Sequence, residues 1–301
     1  MFSAISGVRF RGTGLPNRLV LADRMTLKWG WLLAALLGLL AQHPAWADLM
    51  IAPTRIVFDK NQRAAQLDLI NSGSETSTYR ISIVNRRMGE AGEFLAIDSP
   101  APGEQFAGDL LRYSPRQVVL EPGGGQVVRL SLRKPADLPA GEYRSHLIFE
   151  KVAAAKGATS LEAQGAPPGE VSVQLTMLVG ISIPVIVRHG ETAASVTLAG
   201  LELLKPVAGQ PATLALVLQR SGNRSVYGDL GATFTPQGGA AQEVGKAGGV
   251  AVYTPNPLRR VKLALQPPAG LALARGTLRV TFRERPDAGG KLLAEAAIEL
   301  P

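Results

Sequence analysis

The sequence predicts an all-β protein built from two β-sandwich domains. Short apolar runs with a period of two recur roughly every 8 to 12 residues, which is the spacing typical of β-sandwiches. The 33 glycines and 21 prolines cluster between those runs, where tight turns require them. A chain of 301 residues with 46% apolar residues is long enough to bury a core in each of two domains.

The first 47 residues are predicted to be a cleavable signal peptide. Lys28 provides a basic flank, residues 31–41 form an apolar run, and Ala45-Trp46-Ala47 matches the small-x-small cleavage pattern. The run is much shorter than the ~20 residues that a membrane-spanning helix needs, so we expect no membrane span in the mature chain. Met25 provides an alternative start that gives a conventional short basic segment.

Composition and spacing exclude several classes of protein. The chain has no cysteine, which excludes disulfides, thiol catalysis and thiolate metal sites. The formal net charge of +8 falls to about +4 without the signal peptide, and such scattered charges do not indicate nucleic-acid binding. Neither mature histidine, His146 or His189, has a ligand-spaced neighbour, and catalytic motifs are missing. We therefore expect no enzyme activity, no metal and no cofactor.

The predicted strands divide into two sets. The first set fills residues 48–188 and the second fills residues 189–301, each close to the size of an immunoglobulin-like domain. Ile51 to Phe58 is predicted to be one strand of the first domain. Residues 152–169 lack periodicity and are predicted to be an exposed loop.

The strongest strand signal extends from Val171 to Val187, where every odd position is apolar. At about 3.3 Å per residue this run would exceed about 50 Å, whereas most strands span about 17–20 Å. Pro184 has no N–H, which predicts an edge or a change of sheet near this end. An apolar edge needs cover from the same chain, a second copy or a partner protein. The plainer interpretation is a buried last strand of the first domain.

Several stretches of the first domain resemble periplasmic pilus-assembly chaperones of the PapD type. Residues 53–59 (Pro-Thr-Arg-Ile-Val-Phe-Asp) and 67–71 (Leu-Asp-Leu-Ile-Asn) are similar to that family's opening strands. Residues 113–130, with Leu-Glu-Pro-Gly at their centre, are similar to its middle strands. Residues 138–149, beginning Leu-Pro-Ala-Gly, resemble its signature strand. Over residues 195–301 the resemblance rests on size and strand order.

The resemblance implies two immunoglobulin-like sandwiches set at an angle, in a chaperone that lends a strand to an incomplete pilin. The lent strand would be residues 171–187, and four side chains would fill the subunit's groove: Met177, Val179, Ile181 and Ile183.

In that family two basic residues in the cleft between the domains bind the subunit's terminal carboxylate. Arg55 matches the first of these. The second, a lysine, falls on Ser182, which carries no charge. Arg188, Arg144 or Arg86 would have to supply the missing cation.

Two functions follow as hypotheses. The first is a periplasmic chaperone that binds pilin-like subunits and delivers them for fimbrial assembly at an outer-membrane usher. The second is a structural or adhesive extracytoplasmic protein with two immunoglobulin-like domains that keeps its own strand. Self-association through the edge strand is a further expectation for the free chaperone.

Overall fold

The computed structural model describes residues 48–97, 99–152, 180–204 and 211–301, and almost all regular structure within them is β-strand. The strands before residue 190 are β1 (Leu49–Ala52), β2 (Ile56–Phe58), β3 (Ala64–Asn71), β4 (Ser77–Val84), β5 (Arg86–Met88), β6 (Phe94–Ala96), β7 (Leu111–Ser114), β8 (Gln117–Leu120), β9 (Gly125–Leu132), β10 (Gly141–Lys151) and β11 (Gly180–His189). The strands after residue 190 are β12 (Ala194–Leu204), β13 (Thr213–Gly222), β14 (Val226–Pro236), β15 (Gln242–Val252), β16 (Leu258–Ala264), β17 (Gly276–Arg283) and β18 (Leu292–Leu300). Single turns of 3-10 helix cover Gly108–Leu110 and Pro286–Ala288. The predicted signal peptide, nearly all of the predicted loop and residues 171–179 of the predicted long strand lie outside the described residues.

The first sandwich packs two sheets face to face. One sheet has the strand order β1-β3-β9-β7 and the other has the order β2-β11-β10-β4-β8. Because successive side chains of a strand point to opposite faces, every second residue of each sheet enters a shared core. The largest fully buried side chains of this core are Phe58, Leu67, Leu69, Leu130, Leu147 and Phe149.

The prediction of a single strand from Ile51 to Phe58 is wrong, since these residues form strands of opposite sheets. β1 pairs antiparallel with β3, whereas β2 pairs parallel with β11. Pro53 lies between the two strands, and a proline cannot donate to a ladder. The chain therefore crosses from one sheet to the other at residues 53–55, which leaves Arg55 at the crossing.

β10 is buried on both faces. All of its residues from Gly141 to Phe149 are buried. Tyr143, Leu147 and Phe149 point into the core of the first sandwich. Arg144 and His146 therefore occupy the outer face of the sheet, because side chains alternate along a strand.

A short hairpin of β5 and β6 connects the first sandwich to the second. Asn256 Nδ2 donates to the carbonyl of Met88 at 2.7 Å, and the backbone N–H of Arg260 donates to the carbonyl of Glu90 at 2.7 Å. The Met88 side chain is buried in a cluster with Ile186, Ala251 and Tyr253. The hairpin thereby fixes the outer face of β10 and β11 against residues of the second sandwich.

The second sandwich packs a sheet of order β12-β13-β16 on a sheet of order β15-β14-β17-β18. Its core includes Phe234, Phe282, Leu214, Leu216 and Leu218, all fully buried. In this part of the chain the alternation of apolar residues predicts a strand only over residues 250–253, whereas β15 begins at Gln242, because glycines interrupt the apolar pattern.

The predicted fold class, all-β with two sandwiches, is confirmed by these two sets of sheets and their separate cores. Residues 48–301 form one compact unit. β11 ends at His189 and β12 begins at Ala194, so residues 190–193 connect the two sandwiches. The division between residues 188 and 189 stays a prediction.

Candidate functional site

β11 is paired along its whole length on one side only. β10 pairs with it from Gly180 to His189, whereas β2 covers its other side only at Val185–Val187. Within the described residues no strand pairs with that second side between Gly180 and Pro184. We call residues 180–184 the open edge. Pro184 lies at the end of the open edge, as expected for a proline whose nitrogen faces away from a ladder.

The side chains of the open edge divide between two faces. Ile183 is 3% exposed and lies in the core of its own sandwich, and Ile181 packs against the same core. Ser182 is exposed on the opposite face. Met177 and Val179, the other two predicted groove-filling residues, lie outside the described residues. The open edge therefore presents backbone groups and Ser182, while Ile181 and Ile183 already contact their own domain.

A cleft of about 690 Å³ opens between the two sandwiches next to β2. Cationic side chains outnumber anionic ones in its lining. The charged lining residues are Arg55, Arg188, Arg224, Arg285 and Lys291 against Asp59, Glu284 and Asp287. A cleft lined by an excess of one charge concentrates ligands of the opposite charge, which here are anions.

Arg55 is held in this cleft by two tyrosines of the second sandwich. Its Nη1 donates to Tyr253 Oη at 2.8 Å. Its guanidinium carbon lies 4.4 Å from the centroid of the Tyr227 ring and 5.3 Å from that of Tyr253. Stacking of this kind fixes the guanidinium plane and leaves its remaining N–H groups available for a planar acceptor such as a carboxylate.

The candidates for the second cation lie in different places. Arg188 lines the same cleft as Arg55, but its Nε donates to Glu142 at 3.1 Å and its Nη1 contacts Asp59 at 3.3 Å. Arg144 stacks on the Tyr253 ring at 4.3 Å and does not line the cleft. Ser182 does not line it either. Of the predicted replacements, the structure thus brings Arg188 to Arg55's cleft and leaves Arg144 outside it.

A buried carboxylate joins the two sandwiches beside the cleft. Glu142, 2% exposed, accepts hydrogen bonds from the backbone N–H of Ser225 at 3.1 Å and from Ser225 Oγ. Ser225 Oγ accepts in turn from the backbone N–H of Thr254 at 3.1 Å. Because a buried carboxylate without partners is costly, this network fixes Arg188 and Ser225 in place on the two sides of the cleft.

Sequence reasoning missed the residues that the second sandwich contributes to the cleft. Tyr227 and Tyr253 hold Arg55, and Arg285 lies 6.0 Å from the centroid of the same Tyr227 ring. Burial raises the pKa of Tyr253, so its phenol stays protonated. Arg55 and Tyr253 are 198 positions apart, and no local pattern links them.

The described residues offer neither a metal site nor a membrane-spanning helix. They contain no group of three or more His, Asp or Glu side chains placed to hold a metal ion. They also contain no helix with the length and apolar character needed to cross a membrane.

No protein-family model matches this chain, and no curated protein matches it. Among solved structures, the chain is similar to the YadV chaperone, at 14% sequence identity over 84% of this chain and 100% of that chain, with a TM-score of 0.43. It is similar to the CupB2 chaperone of Pseudomonas aeruginosa, at 16% identity over 84% of this chain and 100% of that chain, with a TM-score of 0.41. A structure of the Salmonella enterica SafA pilin in complex with the SafB chaperone matches at 14% identity over 86% of this chain and 99% of that chain, with a TM-score of 0.39. Each of these three structures contains a chaperone, and the likeness to this chain is one of fold.

Proposed function

We propose that this chain is a periplasmic chaperone that binds pilin-like subunits by strand addition at the open edge and delivers them to an outer-membrane usher. The observation that carries the proposal is the position of Arg55. Arg55 immediately precedes Ile56, which lies opposite Val185 in the parallel pairing of β2 with β11. It therefore sits where the cover by β2 stops and the open edge begins.

This position sets the direction of an added strand. A peptide that places its terminal carboxylate at Arg55 and extends along β11 toward Gly180 has the same chain direction as β11. Parallel addition thus follows from the geometry of the cleft and the edge. Backbone hydrogen bonds supply the recognition in this mode, and side chains of alternate residues add specificity.

The carboxylate anchor needs charge-assisted hydrogen bonds, which contribute roughly 1.5–3 kcal/mol each. Arg55 is the first cation of the proposed anchor. Arg188 lines the same cleft and is the second, with its Nη2 not engaged by Glu142 or Asp59. The predicted lysine position, Ser182, contributes only its hydroxyl and backbone at the edge.

One observation favours the alternative function, an extracytoplasmic structural or adhesive protein. Ile183 is buried in the core of its own sandwich, and Ile181 packs on the same core. These contacts are those of a last strand that a domain keeps for itself. The two functions differ in one respect: in the chaperone the backbone of the open edge forms hydrogen bonds with a strand of another protein, and in the structural protein it does not.

A substitution of Ser182 tests this without touching the core. Ser182 is exposed, so Ser182→Pro removes one backbone N–H from the strand while leaving the buried side chains unchanged. The full chain is co-expressed with a pilin-like subunit and purified from the periplasm through an affinity tag on the chaperone. Subunit recovered with Ser182→Pro is expected to fall at least about tenfold, because one strand hydrogen bond is lost and the added strand is disrupted.

Ser182→Thr is the matched control, because it keeps the N–H at the same exposed position. It should recover as much subunit as the native chain, and both variants should keep the native thermal midpoint. Equal subunit recovery by a folded Ser182→Pro variant and by Ser182→Thr would contradict strand addition at this edge. A chain that reaches the periplasm but never retains a subunit would favour the structural alternative.

A further inference from the structure

A second group of basic side chains lies on the outer face of β10, away from the cleft. Arg144 is 5% exposed and His146 is 1% exposed, and they are successive outward-facing residues of the same strand. Arg86 of β5 adjoins them, since Arg144 Nη2 donates to the Arg86 carbonyl at 3.2 Å. We call Arg86, Arg144 and His146 the outer-face basic cluster; Arg86 is half-buried, and the other two are buried.

Most polar atoms of this cluster have no partner. Five side-chain nitrogens are buried without a hydrogen bond among the described residues: Arg86 Nε, Arg144 Nε, Arg144 Nη1, His146 Nδ1 and His146 Nε2. Buried polar groups in proteins are almost always satisfied, because an unsatisfied donor costs roughly 1–3 kcal/mol and a charged one more. With a neutral imidazole, four of these five nitrogens carry an N–H, and four unpaired donors on three adjoining residues indicate a shared acceptor.

The neighbouring carboxylates of Glu104 and Glu142 form hydrogen bonds with other groups. Glu104 accepts from Arg87 Nε at 2.6 Å and from the backbone N–H of Ala101 at 2.6 Å. Glu142 accepts from Ser225 and Arg188. The cluster is therefore left with two guanidinium charges that no carboxylate contacts directly.

Aromatic rings cover the cluster. The ring centroids of Phe94 and His146 are 4.9 Å apart in an edge-on arrangement, and Phe94 also lies 5.8 Å from the guanidinium carbon of Arg144. Tyr253 covers Arg144 from another side at 4.3 Å. These rings limit the access of solvent to the side-chain nitrogens of Arg144 and His146. Only a small ligand could reach those nitrogens.

We propose that Arg86, Arg144 and His146 bind a small inorganic anion, of which chloride is the probe, between β10 and the β5–β6 hairpin. An anion accepts several N–H groups at once and neutralises guanidinium charge, which a water molecule does not do. The imidazole contributes one N–H as a neutral ring, because burial and the nearby arginines hold the pKa of His146 at about 3. The anion thereby joins β10 to the hairpin that contacts the second sandwich.

The first test measures thermal unfolding of the full mature chain at pH 7.5 in sodium chloride and in sodium gluconate of equal ionic strength. Matched ionic strength removes general screening, so a difference reports anion binding. The midpoint is expected to be about 2–4 °C higher at ~0.15 M chloride than in gluconate. Gluconate is too large to enter a site covered by Phe94 and Tyr253. Equal midpoints in the two salts would overturn the proposal.

Two variants locate the effect. Arg86→Met and Arg144→Met should each abolish the chloride dependence, whatever they do to the midpoint itself. Arg87→Gln is the matched control, because Arg87 is the next residue of the same strand, is partly exposed and pairs with Glu104. It should keep the full chloride dependence.

A chloride effect that persists in Arg86→Met would place the anion elsewhere and overturn the assignment. Should either methionine variant fail to fold, bromide soaked into crystals of the native chain gives an independent readout by anomalous scattering. An anomalous peak between His146 and Arg144 supports the site, and its absence at the bromide concentration that shifts the midpoint overturns it.

Discussion

Arg55 and Arg144 stack on the same tyrosine but face different surroundings. Their guanidinium carbons lie 5.3 Å and 4.3 Å from the Tyr253 centroid. Arg55 is half-buried, lines the cleft and donates to Tyr253 Oη. Arg144 is 5% exposed, and its Nε and Nη1 have no partner among the described residues. The comparison teaches that access, more than residue type, decides whether an arginine could meet a large ligand or only a small ion.

The largest expected effect concerns pH on the Arg144 side. The pKa of His146 is about 3 in the folded chain, lowered first by burial and then by Arg144, Arg86 and Arg55. The unfolded chain holds its proton below about pH 6.5. Stability should therefore be full above pH 6.5 and fall as the pH drops toward 3, by up to roughly 5 kcal/mol.

The measurement is urea unfolding from pH 7.5 down to pH 4. His146→Leu removes the titrating ring and should flatten the profile relative to the native chain. Parallel profiles for the two proteins would show that His146 is not buried in neutral form. The contrast between the surroundings of Arg144 and those of Arg55 would then weaken.

The second effect removes the shared ring. Tyr253 is 5% exposed and contacts both arginines. Tyr253→Ala should lower the free energy of unfolding by about 3 kcal/mol, because it deletes a buried aromatic side chain. Tyr253→Phe keeps the ring and loses only the hydrogen bond from Arg55, so it should cost about 1 kcal/mol. Chemical denaturation of both variants checks this, and equal costs would show that the hydroxyl carries the whole contribution.

A third effect separates the two arginines directly. In chloride-free buffer Arg144→Met should raise the free energy of unfolding by about 1 kcal/mol, because it removes a buried charge with unpaired donors. Arg55→Met should lower it by no more than about 1 kcal/mol, since its group is partly hydrated and holds one tyrosine. Urea titrations in gluconate test both. A loss of stability in both variants would remove the distinction drawn here.

The smallest expected effect on stability comes from an ion pair that lies outside both the cleft and the cluster around Arg144. Arg260 pairs with Glu90 at 3.1 Å, and both side chains are mostly exposed. Arg260→Gln should change stability by less than about 0.5 kcal/mol at physiological salt. A larger change on denaturation would mean that this ion pair helps to fix the hairpin to the second sandwich.

The sequence predicted strands best where one face meets water. β3 and β9 alternate buried and exposed residues, and the same alternation in the sequence predicts strands at residues 65–70 and 127–132, within two residues of the observed bounds. β10 was predicted from the same alternation, yet its polar residues are buried as well, because the hairpin and second sandwich cover them. β5 was not predicted at all, since Arg86, Arg87 and Met88 show no apolar alternation.

The candidate site was predictable only in part. Arg55 was selected from its flanking residues, and the structure places it in the cleft. The rings that hold it and the partner of Arg188 depend on how two separate sandwiches pack, which strand periodicity does not encode. Arg144 looked equivalent to Arg188 in sequence, and only the three-dimensional contacts place Arg188 in the cleft and Arg144 against Tyr253 outside it.

The place of Arg55 at the end of β2 has a consequence for any partner that docks there. A terminal carboxylate bound at Arg55 would fix the register of the partner strand along β11. The position of each partner residue would then depend on its distance in sequence from the partner's own C-terminus. Because side chains alternate with a period of two, removing one terminal residue would turn the opposite set of side chains toward this domain. Partners would then be distinguished by whether their apolar residues fall at odd or at even positions counted from the C-terminal residue.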